Sequence, residues 1–226
     1  MKGYGQFCPV AKAAEVVGER WTPLVLRELI AGSRRFNDLR RGVPLMSPAL
    51  LSKRLKTLEK AGIVERCQEG RGTAYQLTEA GSELEPLIEM LGVWGQRWSR
   101  SNFEPEDLDP GLLMWDLKRN AKPEALPAER VVVKFEYTDA TPSKRHWWVV
   151  NEAGWVDLCL TDPGFEVDLY VITDIRTMSM VWMGDRTLSD ATDSGDMDII
   201  GPSTLQRQFR RWLGLNPFAS IKPRST

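Results

Sequence analysis

The chain has one histidine, His146, and three cysteines, Cys8, Cys67 and Cys159, among its 226 residues. Each scarcity excludes something. With a single imidazole, a Ser-His-Asp relay or a multi-histidine metal site would have to be built around His146. That residue opens a strand-like run before two tryptophans, where a surface or edge position is the ordinary reading. Three widely spaced cysteines make neither an even disulfide framework nor a zinc spacing, and no signal peptide is seen, so a reducing cytoplasm is expected. No apolar run approaches the roughly 20 residues of a membrane-spanning helix, and no membrane association is expected. There is no P-loop and no Rossmann glycine pattern. No catalytic residue, cofactor or metal is therefore expected, and the chain does not read as an enzyme. The formal net charge of −1 also excludes an indiscriminate polycation.

What is present becomes visible when the charge is divided. Residues 1–100 carry 16 basic and 11 acidic side chains, and residues 101–226 carry 14 and 20. Within 34–60 there are 8 basic and 2 acidic residues. The cation is concentrated in one short stretch, as a nucleic-acid footprint requires. Ser47 is a good N-cap there, and Pro48 suits the first helical position, where its missing N–H is harmless. Leu51, Leu55 and Leu58 recur at helical spacing, which predicts a helix over 47–60 ended by Gly62. Its other stripe is Ala49, Ser52, Lys53, Lys56 and Lys60. Small residues near the N-terminus allow close approach to base edges, and lysines further along reach phosphates.

Periodicity alone fits an amphipathic surface helix with solvated lysines equally well; the neighbours decide. Phe36 and Leu39 belong to a short preceding helix, and the run GVPLM makes the turn into Ser47. After Gly62, residues 63–66 and 73–78 read as two strands joined by Gly70-Arg71-Gly72, a flexible tip with one cation. Helix, turn, basic helix and basic hairpin make a winged helix-turn-helix. Its expected DNA-contacting residues are Arg34, Arg35, Ser47, Ala49, Ser52, Lys53, Lys56, Arg71 and Thr73, with Arg71 reaching a minor groove or a phosphate.

The run CPVAKAAEVVGERWTPLVLRELIAG, followed by RRFNDLRRGVPLMSPALLSKRLKTLEKAGIVER and YQLTEAG, resembles the HxlR-type transcriptional regulators, relatives of the MarR winged-helix proteins. The resemblance covers about residues 7–98. It implies a homodimeric bacterial regulator that places helix 47–60 in the major groove of a double-stranded operator. It also implies a dimer interface built from helices at about 9–19 and 79–98. The residues agree: Leu84, Leu87, Leu91, Trp94 and Trp98 follow at spacings of three and four, a stripe too long for one small winged helix to bury. The competing reading packs this stripe on the chain's own second half. Cys8 stands where some HxlR-like regulators carry a redox-sensing thiol, with Lys12 one helical turn away. The quieter reading is a packing residue near the dimer interface.

The second half changes period. After a polar, acidic linker at 99–109, Asp109-Pro110 opens a helix. From 131 the pattern alternates: VVVKFEY, HWWVV, GWVDLCL and VDLYVIT read as an antiparallel meander, with turns at 151–154 and 162–164. Helices are expected over 175–184, 188–194 and 203–213, with a strand at 197–201. The fold class is two domains: a mainly α winged helix-turn-helix at 1–98, then an α+β domain at 110–218 with an antiparallel sheet covered by helices, and a tail at 219–226. The runs RHWWVVNEAGWVDLCLTDPGFEVDLYVITD, VWMGDRTLSDATDSGDMDIIGP and RRWLGLNPF resemble the sterol-carrier-protein-2-like (SCP2) fold. That resemblance implies a cavity between sheet and helices for an apolar small molecule or lipid. Six of the nine tryptophans lie in this half. Trp148, Trp155, Met178, Trp182, Phe209 and Trp212 are the expected lining, though such residues equally fill a core. Trp147 and Trp148 point to opposite faces of a strand, so only one of them lines an interior. The expected function is a cytoplasmic, homodimeric, DNA-binding regulator whose operator affinity responds to an apolar ligand. The alternatives are a lipid carrier or sequestering module tethered to a DNA-binding domain without coupling, and a Cys8 redox regulator.

Overall fold

The computed structural model describes residues 3–70, 72–99 and 103–224. They fall into two compact units, Met1–Gly95 and Gln96–Thr226.

In the first unit, helices α1 (Pro9–Val17), α2 (Thr22–Ile30), α3 (Phe36–Gly42) and α4 (Pro48–Lys60) precede a hairpin of β1 (Val64–Glu69) and β2 (Gly72–Leu77). Two more helices follow, α5 (Glu79–Ser82) and α6 (Glu85–Trp94). Helix α4 starts where the sequence says it should: the Ser47 hydroxyl accepts from the Leu50 N–H at 3.3 Å. Leu51, Leu55 and Leu58 are buried against Leu26, Leu39 and Val64. Gly62, at φ +72°, ends it in a conformation that costs a side-chain-bearing residue energy. The hairpin pairs Val64 with Leu77 through Glu69 with Gly72. A short bridge of Arg35 to Ala74 holds the α2–α3 loop against β2, and the Tyr75 N–H donates to the Arg34 carbonyl at 2.8 Å.

The helix implied at 79–98 is broken. Pro86 lacks an N–H and its ring crowds the preceding turn, so α5 stops at Ser82 and α6 restarts at Glu85. Beyond α6, Gly95–Ser99 forms a single π-helical turn.

One buried carboxylate sits inside this unit. Glu28 has no exposed side-chain surface. It accepts from the Arg27 guanidinium at 2.8 Å and from the Ser33 hydroxyl at 3.3 Å. The same guanidinium donates to the Gly42 carbonyl at 2.8 Å. The end of α2 is thereby tied to the end of α3, just ahead of the turn into α4.

The second unit contains α7 (Pro110–Asn120), strands β3 (Val131–Tyr137), β4 (His146–Glu152), β5 (Trp155–Cys159) and β6 (Leu169–Thr173), helices α8 (Ile175–Met183) and α9 (Leu188–Asp193), strand β7 (Met197–Ile200) and helix α10 (Ser203–Trp212). The sheet order is β5-β4-β3-β6-β7. The expected antiparallel meander is corrected here: β6 runs parallel to β3, so the sheet is mixed. The cause lies at Asp168. Its carboxylate accepts from the Val132 N–H at 2.8 Å, and its own N–H donates to the Val132 carbonyl at 3.0 Å. These bonds seat the start of β6 beside β3 rather than beside β5.

Val131, Val133, Phe135 and Tyr137 of β3 face the helices, with Trp147 and Val149 of β4, and Leu169 and Val171 of β6. Helices α7, α8 and α10 cover that one face with Leu113, Met114, Leu117, Met178, Trp182, Phe209 and Trp212. The interior holds few polar groups, and they are matched. The Trp212 indole N–H donates to the Asn151 side chain at 3.1 Å. The Tyr137 hydroxyl, pushed to a raised pKa by burial, meets the Met114 sulfur at 3.1 Å.

The segment expected as a linker belongs with this unit. Phe103 accepts from the Arg176 guanidinium at 2.9 Å, and Pro105–Asp107 form a 3-10 turn. The tail is tied in as well: the Arg224 N–H donates to the Arg97 carbonyl at 2.8 Å, and the Gln96 side chain donates to the Ile221 carbonyl at 3.3 Å.

Candidate nucleic-acid interface

Helix α4 presents Ala49, Lys53, Lys56 and Lys60 as exposed residues, with Ser52 half-buried beside them. Ser47 is exposed too, but its hydroxyl is spent on capping the helix. Among the described ion pairs none involves Lys53, Lys56 or Lys60, so their charge is available to a ligand. Arg54 lies on the same helix but serves the fold. Its guanidinium pairs with Glu19 at 3.0 Å and donates to the Arg20 carbonyl at 3.1 Å, joining α4 to the α1–α2 connection.

The expected contacts flanking α4 divide. Arg35 is exposed and precedes α3. Arg34 is drawn onto the wing: it donates to the Gln76 side chain at 2.7 Å and to the Cys67 sulfur at 3.4 Å, and lies 3.8 Å from Glu69. It clamps the hairpin root. Gln76 carries the clue, facing Glu65 across the hairpin. Thr73 is half-buried on β2. Arg71 lies outside the described residues. Gly70, next to it, has φ +61°, which suits a tight tip.

On α6, Leu87, Met90, Leu91 and Trp94 are exposed together, while Ile88 turns into the unit's own core. Leu84 is half-buried and packs on that core, and its carbonyl accepts from the Ile88 N–H at 3.1 Å. Trp98 lies in the π-helical turn with the Arg224 guanidinium 5.5 Å from its ring. Cys8 is half-buried, and its carbonyl starts α1 by accepting from the Lys12 N–H at 3.1 Å. The Lys12 ammonium is engaged with Glu15 at 3.2 Å.

The six residues expected to line an apolar cavity are not brought together around one. Met178, Trp182, Phe209 and Trp212 are packed into the second unit's core. Trp148 is on the other face of the sheet, since it pairs with outward-facing Lys134; Trp147 is the inward neighbour. Trp155 is 81% exposed, on the edge strand β5. The second unit has instead a cleft of about 440 Å³ lined by Leu108, Asp109, Pro110, Ala140, Lys144 and Ile175, among others. Partial burial pushes the Asp109 carboxyl up. The Lys144 ammonium at 2.6 Å and the Leu112 N–H outweigh that and leave it below the ordinary aspartate value.

Among the described residues no cluster of acidic, histidine or cysteine side chains has the makings of a metal site, and no helix is long and apolar enough to cross a membrane.

Comparison with known proteins places the first unit. A family model described as HxlR-like helix-turn-helix matches residues 16–103. The HTH-type transcriptional regulator YvaP of Bacillus subtilis (strain 168) is 32% identical over 102 residues, covering 43% of this chain and 94% of that protein. The HTH-type transcriptional regulator YodB of the same organism is 32% identical over 95 residues, covering 40% of this chain and 85% of the relative. Among solved structures, the redox regulator HypR in its oxidized form is 33% identical, with a TM-score of 0.39, over 42% of this chain and all of that one. The family match ends at residue 103, so the mixed sheet lies beyond it. Since nearly the whole length of YvaP is matched at this identity, the chain belongs to the HxlR-like helix-turn-helix family.

Proposed function

We propose that the protein is a homodimeric, non-enzymatic transcriptional regulator that lays α4 in the major groove of operator DNA. The observation that carries this is the exposed face of Ala49, Ser52, Lys53, Lys56 and Lys60, free of described ion pairs and set beside the β1–β2 wing. The relatives' names as transcriptional regulators support the same reading. Its test is binding to a selected duplex at several salt concentrations. Each phosphate contact contributes about 0.9 to the logarithmic salt slope, so Lys56→Ala in a dimer is expected to flatten it by about 2. Ser52→Ala is expected to relax sequence preference, by about 1–3 kcal/mol at the base it faces. An unchanged slope and unchanged preference would end this reading.

A second reading, control by a small apolar molecule in an SCP2-like second unit, is favoured by one observation. The cleft at the N-termini of α7 and α8 has an apolar floor of Leu108, Pro110, Ala140 and Ile175. A sheet with its helices on one face agrees with that fold. A fluorescent fatty-acid analogue is expected to bind the intact protein, and to bind with altered affinity when operator is present, because coupling is reciprocal. Equal affinity with and without operator leaves an uncoupled carrier. A thiol switch at Cys8 has less support, since the Lys12 ammonium is turned toward Glu15.

A further inference from the structure

The helices cover only one face of the five-stranded sheet. The opposite face carries a row that crosses all five strands in register: Cys159, Trp148, Lys134, Tyr170 and Ile200. Tyr170 is 39% exposed and Ile200 is 55% exposed. The next row toward the end of β3 is His146, Glu136, Ile172 and Asp198. On the other side lie Asp157, Val150 and Val132, with the Asp168 carboxylate already spent on the backbone.

Among the described residues Lys134 and Glu136 on this face have no ion pair with each other. The Lys134 ammonium lies 5.4 Å from the centre of the Trp148 ring and 6.0 Å from that of Tyr170, and no described ion pair includes it. Glu136, two residues along the same strand, has one ion pair among the described residues, with His146 at 3.9 Å. Trp148 is 9% exposed, and its indole nitrogen and the His146 Nδ1 are both buried without a hydrogen-bond partner.

We infer that this face is covered by the same face of a second copy of the chain. β3 is the central strand, and Lys134 and Glu136 flank its midpoint at Phe135. A two-fold axis lying between two such faces, across the strands at the level of Phe135, sets each Lys134 over the partner's Glu136. The same operation sets Tyr170 over the partner's Ile172, and the Trp148 position over that of the partner's His146. Both members of each pair are used twice, as an isologous contact demands. Ile200 falls over the partner's Asp198 at the rim, where solvent tolerates a mixed pair.

Area then says what kind of contact this is. Five strands about 4.8 Å apart and about five residues deep give about 400 Å² per copy. A free-standing dimer uses about 800 Å² per partner. The face is too small to hold two chains together unaided. It suffices once another contact holds them, because tethering raises the effective concentration to the millimolar range. The inference therefore rests on the proposed dimer through α6.

The experiment is hydroxyl-radical labelling of the intact chain, read residue by residue by mass spectrometry, with mass measured in parallel. In the dimer, Tyr170 and Ile200 are expected to label several-fold less than in the monomeric Leu91→Glu variant. Trp155 stands five residues from the axis and is expected to label equally in both. Lys134→Glu is expected to restore Tyr170 labelling while leaving the chain dimeric. Lys134→Glu combined with Glu136→Lys is expected to protect Tyr170 again, since the two-fold operation re-pairs the swapped charges. A structural role for either residue predicts no such rescue. A dimer in which Tyr170 labels as freely as in the monomer overturns the inference and leaves the α6 dimer standing. A wild-type monomer overturns both.

Discussion

Leu91→Glu is expected to turn the protein from a dimer into a monomer with an intact fold. Leu91 is 47% exposed on α6, between exposed Leu87 and Trp94, while Ile88 on the opposite side supplies the helix's anchor to its own unit. A glutamate at 91 therefore disturbs little inside one chain. In a dimer it places two charges in an apolar contact, where leaving a carboxylate without a partner costs several kcal/mol. Light scattering at micromolar concentration should show a monomer, circular dichroism should be unchanged, and operator affinity should fall by orders of magnitude because one half-site binds alone. A variant that stays dimeric removes α6 from the interface. A wild-type protein that is itself monomeric removes the dimer altogether.

Gly42→Ala is expected to destabilise the first unit strongly. A Cβ there would overlap the buried carboxyl of Glu28. The carboxyl has nowhere to go, since Arg27 and Ser33 hold it from the other sides. Displacing it disturbs the contact with half-exposed Arg27 and overfills a packed site, and overpacking alone costs about 1–3 kcal/mol. Gly72→Ala is the matched control: nothing stands within 4 Å of its Cβ, and the change should fall within about 1 kcal/mol either way. Urea midpoints of the two variants decide the matter. Equal midpoints would mean that Glu28 can leave its site freely.

Much of this was legible in the residues. Ser47-Pro48, the leucine stripe and Gly62 mark α4 because capping, periodicity and a left-handed stop are local properties. The strands of the second unit are equally plain in their alternation. Their partners are not, because alternation says which face a residue takes and nothing about which strand lies alongside. Asp168, whose carboxylate seats β6 beside β3, reads in sequence as one more acidic turn residue. The same limit governs Trp147 and Trp148: adjacent residues must diverge, but only the packed helices decide which is inside. Met178, Phe209 and Trp212 show a further gap, since a wall of a cavity and the filling of a core have the same composition. Arg34 reads as a free cation until the hairpin folds and Gln76 takes it up. Pro86 was present in the residues inside the implied helix, where its missing N–H separates α5 from α6.

The parallel pairing of β3 and β6 also sets the order in which the molecule is completed as it leaves the ribosome. The first unit is built from Met1–Gly95 alone, so α4 and its wing can close before the second unit is made. In the second unit Val133 waits for Leu169, Asn151 waits for Trp212, and Asn120 waits for Gly214, which fits against its carbonyl. The core over that sheet is not finished until α10 has emerged. The basic helix is thus competent while the second unit is still being synthesised, and every newborn copy passes through an interval in which the two halves of its design are not yet joined.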